Sequence, residues 1–392
     1  MMLILATLSL LVWLGLAFAH GRFWQAGPML GPVPRAVRPV AGTWPAVCVV
    51  VPARNEAATI EDSIGSLLAQ DYPGPYGVVL VDDRSEDGTG ALARGLASPH
   101  LHVVDGAEPP AGWSGKLWAV AQGTAEVARL MPGTPGTSDA AYILLADADI
   151  IHEPAHVATL VMKALRDDLD MVSEMVALST ESRAERALVP AFVYFFQLLY
   201  PFARVNQRRS RVAAAAGGTI LIRRTALARI GGIESLRGAL IDDVALARRV
   251  KRSGGGIWLG HSLLARSVRP YPGPADIWRM VARTAYVQLR QSPLLLLATV
   301  LGMALVWLVP PAAALFGEGY ARLAGLLAWA IATISFLPTL RRFELVPFWA
   351  LLLPAVAAFY TLAAIGSAVD HHRGRGVVWK QRAYRERIST PP

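Results

Sequence analysis

Four uncharged apolar blocks punctuate this chain, at residues 1–19, 294–316, 323–340 and 345–369. Each is close to the ~20 residues that a membrane-crossing helix needs. The stretch between the first and second blocks alternates like a globular protein. The pattern predicts a membrane anchor over 1–20, a soluble domain over 41–270 and an interfacial amphipathic helix over 271–292. C-terminal transmembrane helices over 293–370 and a basic tail over 371–392 complete it. Inside the soluble stretch, Val47–Val51 is a continuous apolar run ending at Pro52, as expected of a strand buried on both faces. Ile60, Ile64, Leu67 and Leu68 follow at helical spacing. Val78–Val81 predicts a second strand, Leu101–Val104 a third, residues 116–130 a helix and Tyr142–Ala146 a fourth strand. This rhythm predicts an α/β fold, a parallel sheet with right-handed crossovers. Ligands of such sheets sit beyond the carboxyl ends of the strands.

Composition agrees with a membrane protein. Hydrophobic residues make up 54% and charged residues 17%, against ~25% charged in an average soluble domain. Disorder is excluded, because it requires low hydrophobicity. The single cysteine, Cys48, excludes an internal disulfide framework and a multi-cysteine zinc site. The net charge of +9 favours an anionic partner. In so apolar a chain, lipid headgroups and a phosphorylated substrate fit better than nucleic acid.

Ala17-Phe18-Ala19 could be a signal-peptidase site. No positive charge precedes the block, however, while Arg22, Arg35 and Arg38 follow it. An uncleaved anchor is the better reading. The positive-inside rule then puts the soluble domain in the cytoplasm, on a multi-pass protein of the inner (plasma) membrane.

Polar residues collect where the predicted strands end: Arg54, Asn55 and Glu56 after the first, Asp82, Asp83 and Ser85 after the second, Asp147 and Asp149 after the fourth. No glycine-rich phosphate loop follows the first strand, so neither a dinucleotide fingerprint nor a Walker-type site is present. Acids at a ligand crevice repel a bare phosphate unless a divalent cation lies between. Mg²⁺ prefers one or two carboxylates plus substrate phosphate oxygens, and Mn²⁺ accepts the same ligands. An isolated Asp-x-Asp is more often a cap or a turn. Its place after a buried strand is what favours metal.

The segments VVVPARNE (49–56), VDDRSEDGT (81–89), LLADAD (144–149), GGTILIRR (217–224) and IDDVALARRVK (241–251) resemble, in order and spacing, the family 2 inverting glycosyltransferases. Within them, the membrane-bound hopanoid-associated subgroup, related to ceramide glucosyltransferases, is the most similar. The resemblance implies a GT-A-like (Rossmann-type) catalytic domain. It implies that Pro52, Arg54 and Glu56 line the nucleotide pocket, that Asp83 contacts uracil and that Lys116 lies near the diphosphate. Asp147 and Asp149 would face the metal-diphosphate, with Asp149 the direct ligand. Gly217 and Gly218 would lie under the acceptor, with Asp242 beside them, and Asp243 would be the general base.

Each residue also has a plainer role. Asp82 could satisfy turn amides, Asp87-Gly88 is ordinary turn chemistry, and Asp242-Asp243 could complement a helix dipole. Lysine occurs only four times, which favours a function for Lys116. His152, His156 and His261 lack ligand spacing and are expected to cap or pack. Packing is also expected of Trp113 and Trp118.

In the family this chain resembles, processive polymerases and ceramide glucosyltransferases carry a Gln- or Arg-x-x-Arg-Trp signature after the base. Here the stretch is Met280-Val281-Ala282-Arg283-Thr284, and only Arg283 survives. A single transfer to a non-growing acceptor is expected. Residues 192–202 (FVYFFQLLYPF), rimmed by arginines, and the basic amphipathic stretch 275–291 suggest surfaces resting among headgroups. The expectation is transfer of one sugar from a nucleotide-sugar, UDP-linked, to a lipid hydroxyl, with a hopanoid or ceramide-like lipid as candidates. The alternatives are a polyprenyl-phosphate glycosyltransferase, whose acceptor would not need Asp243, and a silent membrane scaffold. Three C-terminal spans would leave the tail outside, yet Arg373, Arg375, Lys380, Arg382, Arg385 and Arg387 should stay inside. A block interrupted by Pro310-Pro311, Pro338, Pro347 or Pro354 could be split or re-entrant. Oligomeric state is left open.

Overall fold

The computed structural model describes residues 1–34, 43–131, 142–239 and 241–373, with the short strands Val378–Trp379 and Arg382–Ala383. The chain forms two compact units. One comprises residues 1–27, 179–204 and 270–378, the other 28–178, 205–269 and 379–392.

The second unit is built on one sheet. Its strands are β1 (Met29–Leu30), β2 (Val47–Ala53), β3 (Tyr76–Asp82), β4 (Leu101–Asp105), β5 (Tyr142–Ala146), β6 (Ile150–His152), β7 (Met171–Ala177), β8 (Thr219–Arg223) and β9 (Ile257–Ser267). The order is β1-β9-β7-β8-β5-β2-β3-β4, with β6 paired to β9. The four strands read from apolar runs are present. β2 lies centrally, parallel to β3 and β5, and every one of its residues is buried.

The sheet is not wholly parallel, which corrects the sequence expectation. β8 runs antiparallel to both β5 and β7, and β6 antiparallel to β9. For β6 the physical reason is connectivity: Ala146 and Ile150 are too close for a crossover, so β6 starts a new direction after the Asp147–Asp149 turn.

The unit's named helices are α2 (Ile60–Leu68), α3 (Thr89–Gly95), α4 (Gly115–Leu130), α5 (His156–Arg166) and α7 (Asp242–Arg252). Ile60, Ile64 and Leu67 are fully buried against Val49, Val51 and Leu144 in the main core. His152 and His156 stack within this unit with Nδ1 atoms 3.0 Å apart. His156 Nε2 bonds the fully buried Glu174, which also accepts from Thr219 Oγ1 at 3.2 Å. These histidines pack, as expected.

The first unit is helical: α1 (Met2–Ala19), α6 (Arg183–Leu199), α8 (Pro274–Gln288), α9 (Pro293–Phe316), α10 (Gly319–Arg342) and α11 (Pro347–His372). Among the described residues, α1, α9, α10 and α11 are long and apolar enough to cross a membrane. Pro310, Pro311, Pro338, Pro347 and Pro354 all fall within these long helices. In α9, a π turn at Ala304–Leu308 precedes Pro310. Proline has no N–H for the carbonyl four residues back. That carbonyl, Val306 O, instead accepts from Trp13 Nε1 of α1 at 2.8 Å.

α6 carries most of the aromatic stretch expected at a headgroup surface, and its rings meet other rings of the helical unit. A capping box fixes its start: Ser182 Oγ accepts from Glu185 N at 3.0 Å and Glu185 Oε2 from Ser182 N at 2.8 Å. Its aromatic residues then pack among the apolar helices. Tyr194 Oη lies 2.6 Å from Ser335 Oγ, and the Phe195 ring sits 5.3 Å from Trp307 and 5.5 Å from Tyr360. Edge-to-face ring pairs contribute about 0.5–1.5 kcal/mol beyond the area they bury. The basic tail beyond Arg373 lies outside the described side chains.

Candidate functional site

The carboxyl end of β2 leads into a turn that needs Asn55 at φ 50°, and the end of β3 into one with Arg84 at φ 57°. Side chains tie the two turns together. Ser85 Oγ accepts from Asn55 N at 3.0 Å, Asn55 Oδ1 from Glu86 N at 2.9 Å, and Asp87 Oδ2 from Ala57 N at 2.9 Å. Asp82 Oδ1 accepts from Ser85 N at 3.0 Å, the turn role weighed for it. Arg54 Nη1 donates to Asp83 O at 2.6 Å and lies 4.0 Å from the Asp83 carboxylate, which is 1% exposed. Arg54 and Asp83 thus form the floor of this edge. Trp113 and Trp118 pack edge to face on one another.

A cleft of about 400 Å³, open to solvent, lies between the ends of β2 and β5 and the starts of α4 and α7. Pro52, Lys116, Asp147, Gly217, Asp242 and Asp243 all line it. Ser114 caps α4 by accepting from Leu117 N at 3.2 Å, which places Lys116 in the first turn. Lys116 Nζ pairs with Asp147 Oδ1 at 2.7 Å and lies 3.9 Å from Asp242 Oδ2. Burial pulls the Lys116 ammonium down. Asp147, Asp242 and Asp243 together outweigh that and raise its pKa above the ordinary value. Lys116 therefore stays charged. Burial pushes Asp147 up, with Lys116 opposing.

Asp242 and Asp243 open α7, whose last turn carries Arg249, Lys251 and Arg252, the charge order that the helix dipole favours. Asp243 Oδ1 accepts from Val244 N at 2.7 Å. Its pKa is nevertheless pushed up to about 7, first by burial and then by the Asp242 charge. A carboxyl group titrating near neutrality suits proton transfer. Gly217 leaves it room, because a Cβ there would sit 3.3 Å from Asp243 Oδ2. Gly218 instead faces Val176.

Asp149 occupies a separate edge. Its Oδ2 accepts from Arg269 Nε at 2.6 Å, and Arg269 Nη2 donates to Glu56 Oε1 at 2.9 Å. Arg269 was missed in the sequence. It is one arginine among many, and no spacing marks it. The structure thus brings together Pro52, Lys116, Asp147, Gly217, Asp242 and Asp243, and separately Glu56 and Asp149. Arg283 is an exposed residue of α8 in the helical unit.

Asp147 and Asp149 offer the hard oxygen donors that Mg²⁺ or Mn²⁺ takes. Among the described residues, no three His, Cys, Asp or Glu side chains cluster to hold a metal. One or two carboxylates fit an ion that completes its shell with substrate phosphates.

A mixed, mostly parallel sheet with acids at its carboxyl ends is the GT-A-like class of fold. The chain belongs to glycosyltransferase family 2: residues 45–286 match the family described as Glycosyltransferase like family 2. It is similar to the "Probable glycosyltransferase YdaM" of Bacillus subtilis, 25% identical over 214 residues, 54% of this chain and 47% of that protein. It is also 42% identical over 78 residues to the beta-monoglucosyldiacylglycerol synthase of Synechocystis, 19% of this chain and 16% of that one. The chain thus spans about half the length of the first of these relatives and less of the second. The fold resembles the mannosyltransferase PcManGT of Pyrobaculum calidifontis, solved with GDP-Man and Mn²⁺. The TM-score is 0.55 at 20% identity, covering 94% of this chain and 99% of that one.

Proposed function

We propose that this chain is a membrane-bound, inverting glycosyltransferase that moves one sugar from a nucleotide-sugar, UDP-linked, to a lipid hydroxyl. The observation that carries the reading is the Asp243 carboxyl group, held near neutral pKa in a cleft shared with Lys116 and Asp147. In the reaction, an acceptor hydroxyl oxygen forms a bond to the anomeric carbon from the face opposite the diphosphate. The bond to the phosphate oxygen breaks, and its electrons leave with the nucleoside diphosphate. Asp243 takes the hydroxyl proton. Lys116 offsets part of the Asp147 and Asp242 charge and offers its ammonium to the phosphates. Asp149, with Asp147, would hold Mg²⁺ or Mn²⁺, which when bound neutralises charge on the leaving group. Pro52, Arg54, Glu56 and Asp83 serve the nucleotide, and Gly217 leaves space on the acceptor side.

Four helices apolar enough to cross a membrane support a lipid acceptor, as does similarity to a relative whose name carries a glycolipid. The missing Arg-Trp signature supports a single transfer. A hopanoid or ceramide-like lipid follows from the subgroup resemblance. The catalytic unit faces the cytoplasm of the plasma membrane in this reading. The test incubates purified protein with a panel of nucleotide-sugars and total membrane lipid, followed by mass analysis. A new glycolipid supports the reading. Transfer undiminished in Asp243→Asn would point to an anionic acceptor such as a polyprenyl phosphate, and no transfer or donor hydrolysis at all to a silent scaffold.

A further inference from the structure

Arg269 ends the 205–269 segment of the catalytic unit, and the chain passes into the helical unit at Pro270. Its guanidinium spans two carboxylates, Asp149 at 2.6 Å and Glu56 at 2.9 Å, each with a side chain 13% exposed. Arginine's fixed fork matches such paired acceptors and stays charged at every working pH. Asp147 is held in the same way by Lys116 at 2.7 Å. Both acids of the Asp-x-Asp pair therefore carry an internal counter-cation before any substrate arrives. A free divalent ion approaching Asp149 must displace one cation while adjoining another. A metal arriving with a diphosphate brings its own negative charge and leaves the local balance unchanged.

We propose that Arg269 is a positioning residue that makes divalent-metal binding at Asp149 depend on the nucleoside diphosphate. The ion pair holds Asp149 and Glu56 in place and screens Asp149 from free metal, so metal and diphosphate enter as one unit. This rests on the reading of Asp149 as the metal-holding residue.

The test titrates Mn²⁺ into full-length protein in detergent and reads free Mn²⁺ by electron paramagnetic resonance, with and without UDP. Wild type should bind Mn²⁺ weakly alone and much more tightly with UDP. Arg269→Gln should bind Mn²⁺ alone at least ~10-fold more tightly, the scale on which one adjacent charge moves a carboxylate equilibrium. Its dependence on UDP should shrink correspondingly. Arg269→Lys keeps the charge and should stay nearer wild type, which separates screening from a folding effect. Equal Mn²⁺ affinity in wild type and Arg269→Gln would overturn the proposal. So would wild type binding Mn²⁺ equally well without UDP. Absence of Mn²⁺ binding in every sample would instead remove the metal reading, and this proposal with it.

Discussion

Asp149 and Asp243 are carboxylates of one catalytic unit that end in opposite electrostatic states. Asp149 lies beside a guanidinium that also reaches Glu56, so its charge is balanced locally. Asp243 is half-buried beside a second acid and receives one backbone amide, and its pKa rises to about 7. The contrast follows from local structure. Asp149 ends the turn into β6 and lies against the end of β9, where Val268 N donates to Asp149 O at 2.9 Å, so Arg269 arrives next to it. Asp243 sits on the first turn of a helix directly after Asp242. In the proposed reading, the ion-paired acid serves the donor side, and the acid with a pKa near neutrality serves the acceptor side.

Removing Asp149, the acid proposed to hold the metal, should have the largest effect. Asp149→Ala, or excess chelator with wild type, should lower transfer by ~10²–10⁴-fold, the several kcal/mol that a metal contributes to the leaving charge. Full transfer in chelator would erase the distinction between the two acids.

Lys116→Gln should come next, with a loss of roughly 10²-fold, as for a lost charge-stabilising donor. Lys116 lowers the Asp243 pKa, so its loss should also move the acid limb of the pH–rate profile to higher pH. A loss in rate with an unmoved limb would uncouple Lys116 from Asp243.

The smallest effects concern stability and have opposite signs. Asp243 has its folded pKa raised above the unfolded value. The stability it contributes is therefore complete below about pH 4 and is lost as pH rises through about 7. At pH 8, Asp243→Asn should melt at or above the wild-type temperature. Asp149→Asn breaks a charge-assisted bond and should cost about 1–3 kcal/mol. Thermal melts at pH 5 and pH 8 check both signs.

The reasons some features were legible in the sequence are physical. β2, β3 and β5 are buried on both faces and read as apolar runs, and their acidic ends mark the crevice directly. β7 was harder, because Glu174 sits in its middle and is buried only through His156 and Thr219. β9 mixes Gly260, His261 and Arg266 into its run. Aromatic composition does not decide the surroundings of α6, since Phe195 has the same chemistry facing lipid as facing Trp307. Arg269 could not be read at all, because its meaning comes from a strand pairing that joins residues 150–152 to 265–267.

The most direct measurement is the pH–rate profile of lipid glycosylation in liposomes from pH 5 to 9, for wild type and Asp243→Asn, with nucleotide-sugar affinity measured in parallel. Wild type should gain activity with a midpoint near pH 7, because Asp243 must lose its proton to act as base. Asp243→Asn should bind donor normally and transfer ~10²–10⁴-fold more slowly, without that rising limb. A variant that keeps the wild-type rate and limb would contradict Asp243 as the base and the account built on it.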